Sequence, residues 1–218
     1  MTKKVYNLII LDESGSMCSI ENATISGLNE TIQSIKSAQG KHDDQQHFLS
    51  LLSFNSEHMI WHYDLSPVSG IEEFAGEKYT PNGCTPLYDA IGQGIAKLRR
   101  QITDDDMVLV TIITDGLENS SSEYNFMSIK KLIDTMKAKG WVITYIGANQ
   151  DALAEAHKMN IDNGLSYDAT PEGVKNMMKF ERTKRAALYE EMASCSSPVE
   201  LREVDYFGNG RKKKVKKS

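Results

Sequence analysis

The sequence predicts a doubly wound α/β domain, a three-layer sandwich of a six-stranded, mostly parallel sheet with helices on both faces. Three observations carry this. Apolar runs of strand length alternate with helical periods along the chain. Two of the runs, Leu8-Ile9-Ile10-Leu11 and Val108-Leu109-Val110-Thr111-Ile112-Ile113, are almost continuously apolar, as strands buried on both faces are. Each of these two closes on an aspartate and a small-residue turn, Asp12-Glu13-Ser14-Gly15-Ser16 and Asp115-Gly116.

The elements follow in order. Strands are predicted over Val5 to Leu11, His47 to Phe54, His58 to Tyr63, Met107 to Thr114, Trp141 to Ile146 and, weakly, Gly164 to Tyr167. Helical spacing joins Ile20, Ala23, Gly27, Leu28, Thr31, Ile32 and Ile35. It recurs from Leu87 to Leu98 and from Phe126 to Met136. Only Asn55-Ser56-Glu57 separates the second and third strands, so they form a hairpin with the third strand antiparallel at an edge. The other links each carry a helix and cross over right-handedly to a parallel neighbour. Strand order 3-2-1-4-5-6 satisfies both rules and sets the first and fourth strands side by side. A final helix spans about 171–193, with Thr170 as N-cap and Pro171 in its first turn. Its stripe of Val174, Met177, Met178, Phe180, Ala187, Leu188 and Met192 is irregular. The domain is therefore drawn over 1–193, and 194–218 as a polar, flexible tail.

At 218 residues, with 40% hydrophobic and 25% charged residues, the chain has the composition of a soluble globular domain with a sizeable core. The apolar run near the amino terminus is too short for a signal peptide or a membrane span. Cys18, Cys84 and Cys195 have no metal-binding spacing and are odd in number, which points to a reducing compartment; a cytoplasmic location is expected. Net charge is −5, unevenly spread: all 30 acidic residues precede residue 211, whereas six of the 25 basic ones lie in 211–217. That basic run is either a solvated end or a handle for nucleic acid, and no aromatic residue interleaves its lysines.

Open α/β sheets bind ligands beyond the carboxyl ends of the strands where the order reverses, which puts Asp12 and Asp115 in one crevice. Ser14 and Ser16 alternate with Asp12 on the turn, so their hydroxyls converge with it on one point. The loop Thr80-Pro81-Asn82-Gly83-Cys84-Thr85-Pro86-Leu87 brings Thr85 just ahead of a helix, as its N-cap or as a third hydroxyl. Two carboxylates and three hydroxyls suit a hard, oxygen-seeking dication such as magnesium. Taken singly, Asp12 and Thr85 also read as helix caps and Asp115-Gly116 as a turn.

These residues resemble the metal-ion-dependent adhesion site of von Willebrand factor A (VWA) domains. Asp12-Glu13-Ser14-Gly15-Ser16, followed by Met17, resembles the family's Asp-x-Ser-x-Ser. Gly83-Cys84-Thr85-Pro86-Leu87 resembles its Gly-x-Thr-Pro-Leu loop, and Thr114-Asp115-Gly116 its third element. The likeness covers roughly residues 4–168 and is to stand-alone intracellular, bacterial-type members with a complete site. It implies the Rossmann-like VWA fold, with Mg2+, or Mn2+ or Ca2+, held by Asp12, Ser14, Ser16, Thr85 and Asp115. It also implies a protein-interaction module: an aspartate or glutamate of a partner completes the coordination. Selectivity is then expected in surrounding loops, at Glu13, Glu118, Asn119 and Asn149, the last also a candidate helix cap.

An enzyme is not predicted. A metal-dependent hydrolase on phosphate-containing substrates needs a base or nucleophile at the cage, and Ser14 occupies the position where phosphoaspartate enzymes carry a second aspartate. No nucleophile elbow or phosphate-binding glycine loop occurs. His42, His47, His58 and His62 fall around the edge hairpin and His157 in a later helix, all read as surface or edge residues without access to the cage. Cys18 and Cys84 both flank the cage loops, as a redox pair or as small residues packed beneath them.

Overall fold

The structure, a computed structural model, describes residues 2–148 and 151–208. The chain runs β1 (Lys3–Asp12), α1 (Glu21–Lys41), β2 (Gln45–Phe54), β3 (Met59–Pro67), α2 (Leu87–Gln101), β4 (Met107–Thr114), α3 (Phe126–Ala138), β5 (Val142–Ala148), α4 (Asp151–Lys158), β6 (Asn163–Tyr167) and α5 (Pro171–Ser194). The sheet has the predicted order, β3-β2-β1-β4-β5-β6. Every pair is parallel except β2–β3.

Side chains alternate across the two central strands with period two. Val5, Ile9 and Leu11 of β1 and Met107, Leu109 and Ile113 of β4 join one core beneath α1 and α5. Tyr6, Leu8 and Ile10 with Val108, Val110 and Ile112 join the other, beneath α2, α3 and α4. Both faces are thus apolar, which is why these strands read as unbroken hydrophobic runs.

The α1/α5 side departs from a plain apolar core. Arg185 and Glu181, both 1% exposed, form an ion pair with Arg185 Nη2 2.6 Å from Glu181 Oε1. Nη2 also donates to Thr111 Oγ1 of β4 at 2.8 Å, and Nη1 to Asn7 Oδ1 of β1 and to Tyr189. Tyr206 donates to Glu181 Oε1 at 2.8 Å, and Tyr189 to Asn7 Oδ1 at 2.5 Å. Every charge in this cluster has partners, the condition on which buried charges are tolerated. The inward stripe of α5 is therefore Val174, Met177, Met178, Glu181, Arg185, Leu188, Tyr189 and Met192. Phe180 and Ala187, counted on the stripe from the sequence, are exposed, and Phe180 stacks on Phe207.

Two further readings are corrected. Residues 195–207, expected as flexible tail, pack on the domain: Cys195, Leu201, Tyr206 and Phe207 are buried in the α1/α5 core. The few apolar residues in a polar stretch each find a seat there, and Lys3 caps the end of α5 by donating to the carbonyls of Met192, Ala193 and Cys195. The basic run 211–217 lies outside the described residues. His47 is not at the surface but fully buried, edge-on to Tyr189 and hydrogen-bonded to Gln45. Burial pushes its pKa down to about 4, with His42 and Arg185 adding to the shift.

Candidate metal centre

The register of β1 on β4 pairs Leu11 with Ile113, so the residues that follow, Asp12 and Thr114, meet at the carboxyl end of the sheet. Asp12 is fully buried. Its Oδ1 accepts from Ser14 N at 2.7 Å, closing a tight turn, and its Oδ2 accepts from Thr114 Oγ1 at 2.5 Å. The Tyr79 hydroxyl donates to the Asp12 carbonyl at 2.6 Å. Ser16 Oγ donates to Asp115 Oδ1 at 2.5 Å and lies 3.2 Å from Ser14 Oγ.

Gly116 shows where these oxygens point. A Cβ there would lie 3.0 Å from Thr85 Oγ1 and 3.7 Å from both Asp12 Oδ2 and Ser16 Oγ. Three predicted ligand oxygens thus surround one small space, and Asp115 and Ser14 are hydrogen-bonded to the third of them. All five predicted residues come together. Among the described residues no group of three or more His, Cys, Asp or Glu is placed to hold a metal. The set here is of another kind, two carboxylates with three hydroxyls, and all-oxygen sets of this kind fit magnesium rather than zinc or copper.

Electrostatics agree with the fit. Burial raises the Asp12 pKa to about 6, against the hydrogen bonds from Thr114 and Ser14 that lower it, and burial also raises Asp115. Two desolvated carboxylates meet here, and among the described residues no basic side chain is bonded to either, a situation that a dication between them would reverse.

Thr85 is not a helix cap. The residue ahead of α2 is Pro86, with no side-chain capping bond, and the free N–H groups of Tyr88 and Asp89 are taken by Glu118 Oε2 and Ser121 Oγ of the loop after β4. Glu118, predicted as a partner contact, also accepts from the backbone of Ser120 and Ser121, so its carboxylate is spent on folding its own loop. Asn119 Oδ1 accepts from Thr85 N at 2.8 Å, and Asn119 N donates to Thr85 O, fixing the threonine. Asp89 holds the same loop through the N–H groups of Ser122, Glu123 and Tyr124.

Glu13 is likewise buried, at 1% exposure, and so is no partner contact in this conformation. Its Oε1 accepts from Thr80 N, its carbonyl from Asn82 N, and its Oε2 faces His58 Nε2 at 3.3 Å. His58, read from the sequence as remote from the cage, thus stands at this pole. Asn149 lies outside the described residues. Cys18 and Cys84 are exposed, and Cys18 Sγ donates to Pro81 O of the loop that carries Cys84. A polar groove of about 790 Å3 between α1 and α5, lined by Ser34, Ser37, Arg182 and Glu190 among others, contains none of the site residues.

The sequence reading missed Thr114, Tyr79, Asp89 and the inward turn of Glu13. Thr114 had a signal, since it is the β4 residue opposite Asp12 once the strands are set in register. The others depend on how loops fold over one another and had none.

No family model matches the chain, and no curated protein matches it. Among solved structures, the von Willebrand factor type A protein from Catenulispora acidiphila aligns with a TM-score of 0.60 at 14% identity, over 85% of this chain and 43% of that one. The SpRpn10 VWA domain aligns at 0.58 and 13% identity, over 83% of this chain and 95% of that domain. The fold is of the VWA type. The pilus adhesin SpaC from Lactobacillus rhamnosus GG, in its open conformation, aligns at 0.65 and 14% identity, over 86% of this chain. The chain spans only 30% of that adhesin's length.

Proposed function

We propose that this VWA-type domain is a protein-interaction module in which Asp12, Ser14, Ser16, Thr85 and Asp115 hold Mg2+, or Mn2+ or Ca2+, and an aspartate or glutamate of a partner completes the coordination. The observation that carries the reading is the convergence of Asp12 Oδ2, Ser16 Oγ and Thr85 Oγ1 on the space beside Gly116. Two carboxylates balance the dication, so the shell keeps no excess negative charge and accepts an outside carboxylate in place of water. Partner and cation then bind with linked free energies, each tightening the other by the same factor. The pilus adhesin among the structural neighbours supports an interaction role.

A hydrolytic role finds less support. His58 has its Nε2 turned to Glu13 rather than into the cage, and a general base has to reach the reacting water within hydrogen-bond distance. We also place the chain in the cytoplasm: its three cysteines are unpaired and two are exposed, which suits a reducing compartment. Among the described residues no helix is long and apolar enough to cross a membrane.

Mn2+ titration followed by electron paramagnetic resonance tests the site, with capture from native extract testing the interaction. Wild type binds one ion and captures a partner that chelator releases; Asp12→Ala loses both while keeping its circular dichroism spectrum. A partner retained in chelator and by Asp12→Ala overturns the coordination mechanism.

A further inference from the structure

Four described loops carry or adjoin the cage residues: 13–20, 55–58, 80–86 and 115–125. None contains a lysine or arginine. Besides Asp115 they carry Glu13, Glu57, Glu118 and Glu123. Glu57 and Glu123 are exposed on the rim, and their bonded partners are the neutral amides of Asn82 and Gln93. Glu118 is bonded to three backbone N–H groups and the Ser121 hydroxyl. The four glutamates thus have neutral hydrogen-bond partners apart from the contact between Glu13 and His58. The basic residues nearest these loops are Lys78, which acts on His62 of β3 together with Glu13, and Lys158 of α4, which acts on Tyr88 together with Glu118.

Once Asp12 and Asp115 have balanced the dication, these four glutamates leave the described part of the face negative. A carboxylate approaching the cation is drawn in at short range and repelled by the rim at longer range, over the roughly 8 Å that salt allows at physiological strength. Resting on the coordination reading, we infer that the partner's acidic residue is single and set among basic side chains, so that its flanks meet Glu57 and Glu123 while its carboxylate meets the cation. A partner with a run of acidic residues is rejected by the same rim, an arrangement in which like charges give specificity against the wrong ligand.

Three capped pentapeptides test this by NMR titration of the Mg2+-saturated full chain: Gly-Lys-Asp-Lys-Gly, Gly-Ser-Asp-Ser-Gly and Gly-Glu-Asp-Glu-Gly. The expected order of affinity is basic, neutral, acidic, with about tenfold between the extremes at low salt. The spread collapses at 0.5 M salt to about twofold or less. It also narrows in the Glu57→Gln, Glu123→Gln double variant, which leaves the cage residues in place. Metal-dependent binding of all three peptides with equal affinity, or a spread that the double variant does not change, overturns the inference while leaving the coordination reading standing. Binding that is the same in Mg2+ and in chelator overturns both.

Discussion

A methyl group on Gly116 would enter the space shared by Thr85 Oγ1, Asp12 Oδ2 and Ser16 Oγ. Gly116→Ala is therefore expected to cost at least about tenfold in Mn2+ affinity, since site oxygens must be placed within a few tenths of an ångström. The thermal midpoint without metal should stay close to wild type; unchanged Mn2+ affinity would contradict the geometry. His47 makes a second prediction at this scale. Its folded pKa of about 4 lies below the ordinary 6.5, so between these values the unfolded chain binds a proton that the folded chain does not. The stability this contributes is fully present above about pH 6.5 and is lost as pH falls toward 4, on the order of 3 kcal/mol. Urea unfolding of wild type and His47→Gln across that range checks it, the variant showing the shallower slope. The convergence of Asp12, Ser14, Ser16, Thr85 and Asp115 was legible because their types, order and place at strand ends are sequence properties. The depth of Glu13 and of His47 was not, because a charged or titratable side chain reads as exposed until its partners are known.

Strands and most helices were legible for a related reason: a stripe that is purely apolar announces its period. Helix α5 was harder to read because its buried face carries Glu181 and Arg185, residues that a hydrophobic pattern assigns to solvent. Their pairing predicts an asymmetry among variants. Arg185→Met leaves Glu181 and Asn7 short of a buried partner and is expected to cost about 3–5 kcal/mol. Replacing Glu181 and Arg185 together by leucine and methionine is expected to cost clearly less than that single change. Chemical denaturation of the three proteins decides it; a single variant milder than the double would contradict the account. The loop after β4 is an element in the same sense, held as a unit by Glu118, Asn119 and Asp89. It supplies the helix-capping bonds of α2 and the position of Thr85 at once, so the cage and the helix start are built together.

At the scale of the whole molecule, the two hydrophobic cores and the cage sit on one sheet, and the segment beyond α5 belongs to it. Ending the chain after Ser194 removes the buried Leu201, Tyr206 and Phe207 and the Tyr206 bond to Glu181. A loss on the order of 5 kcal/mol is expected from the apolar area alone. Differential scanning calorimetry of the shortened chain measures it, and an unchanged midpoint would show that the segment does not pack as described. That segment reads as a tail because its apolar residues are scattered without helical or strand spacing. Lys3 adds a consequence in time rather than in space. The carbonyls it holds belong to residues 192–195, so they are separated from it by about 190 positions. As the chain emerges in order from a ribosome, the backbone of the first strand can pair with β2 early, but the Lys3 side chain waits for nearly all of the domain before it meets these carbonyls.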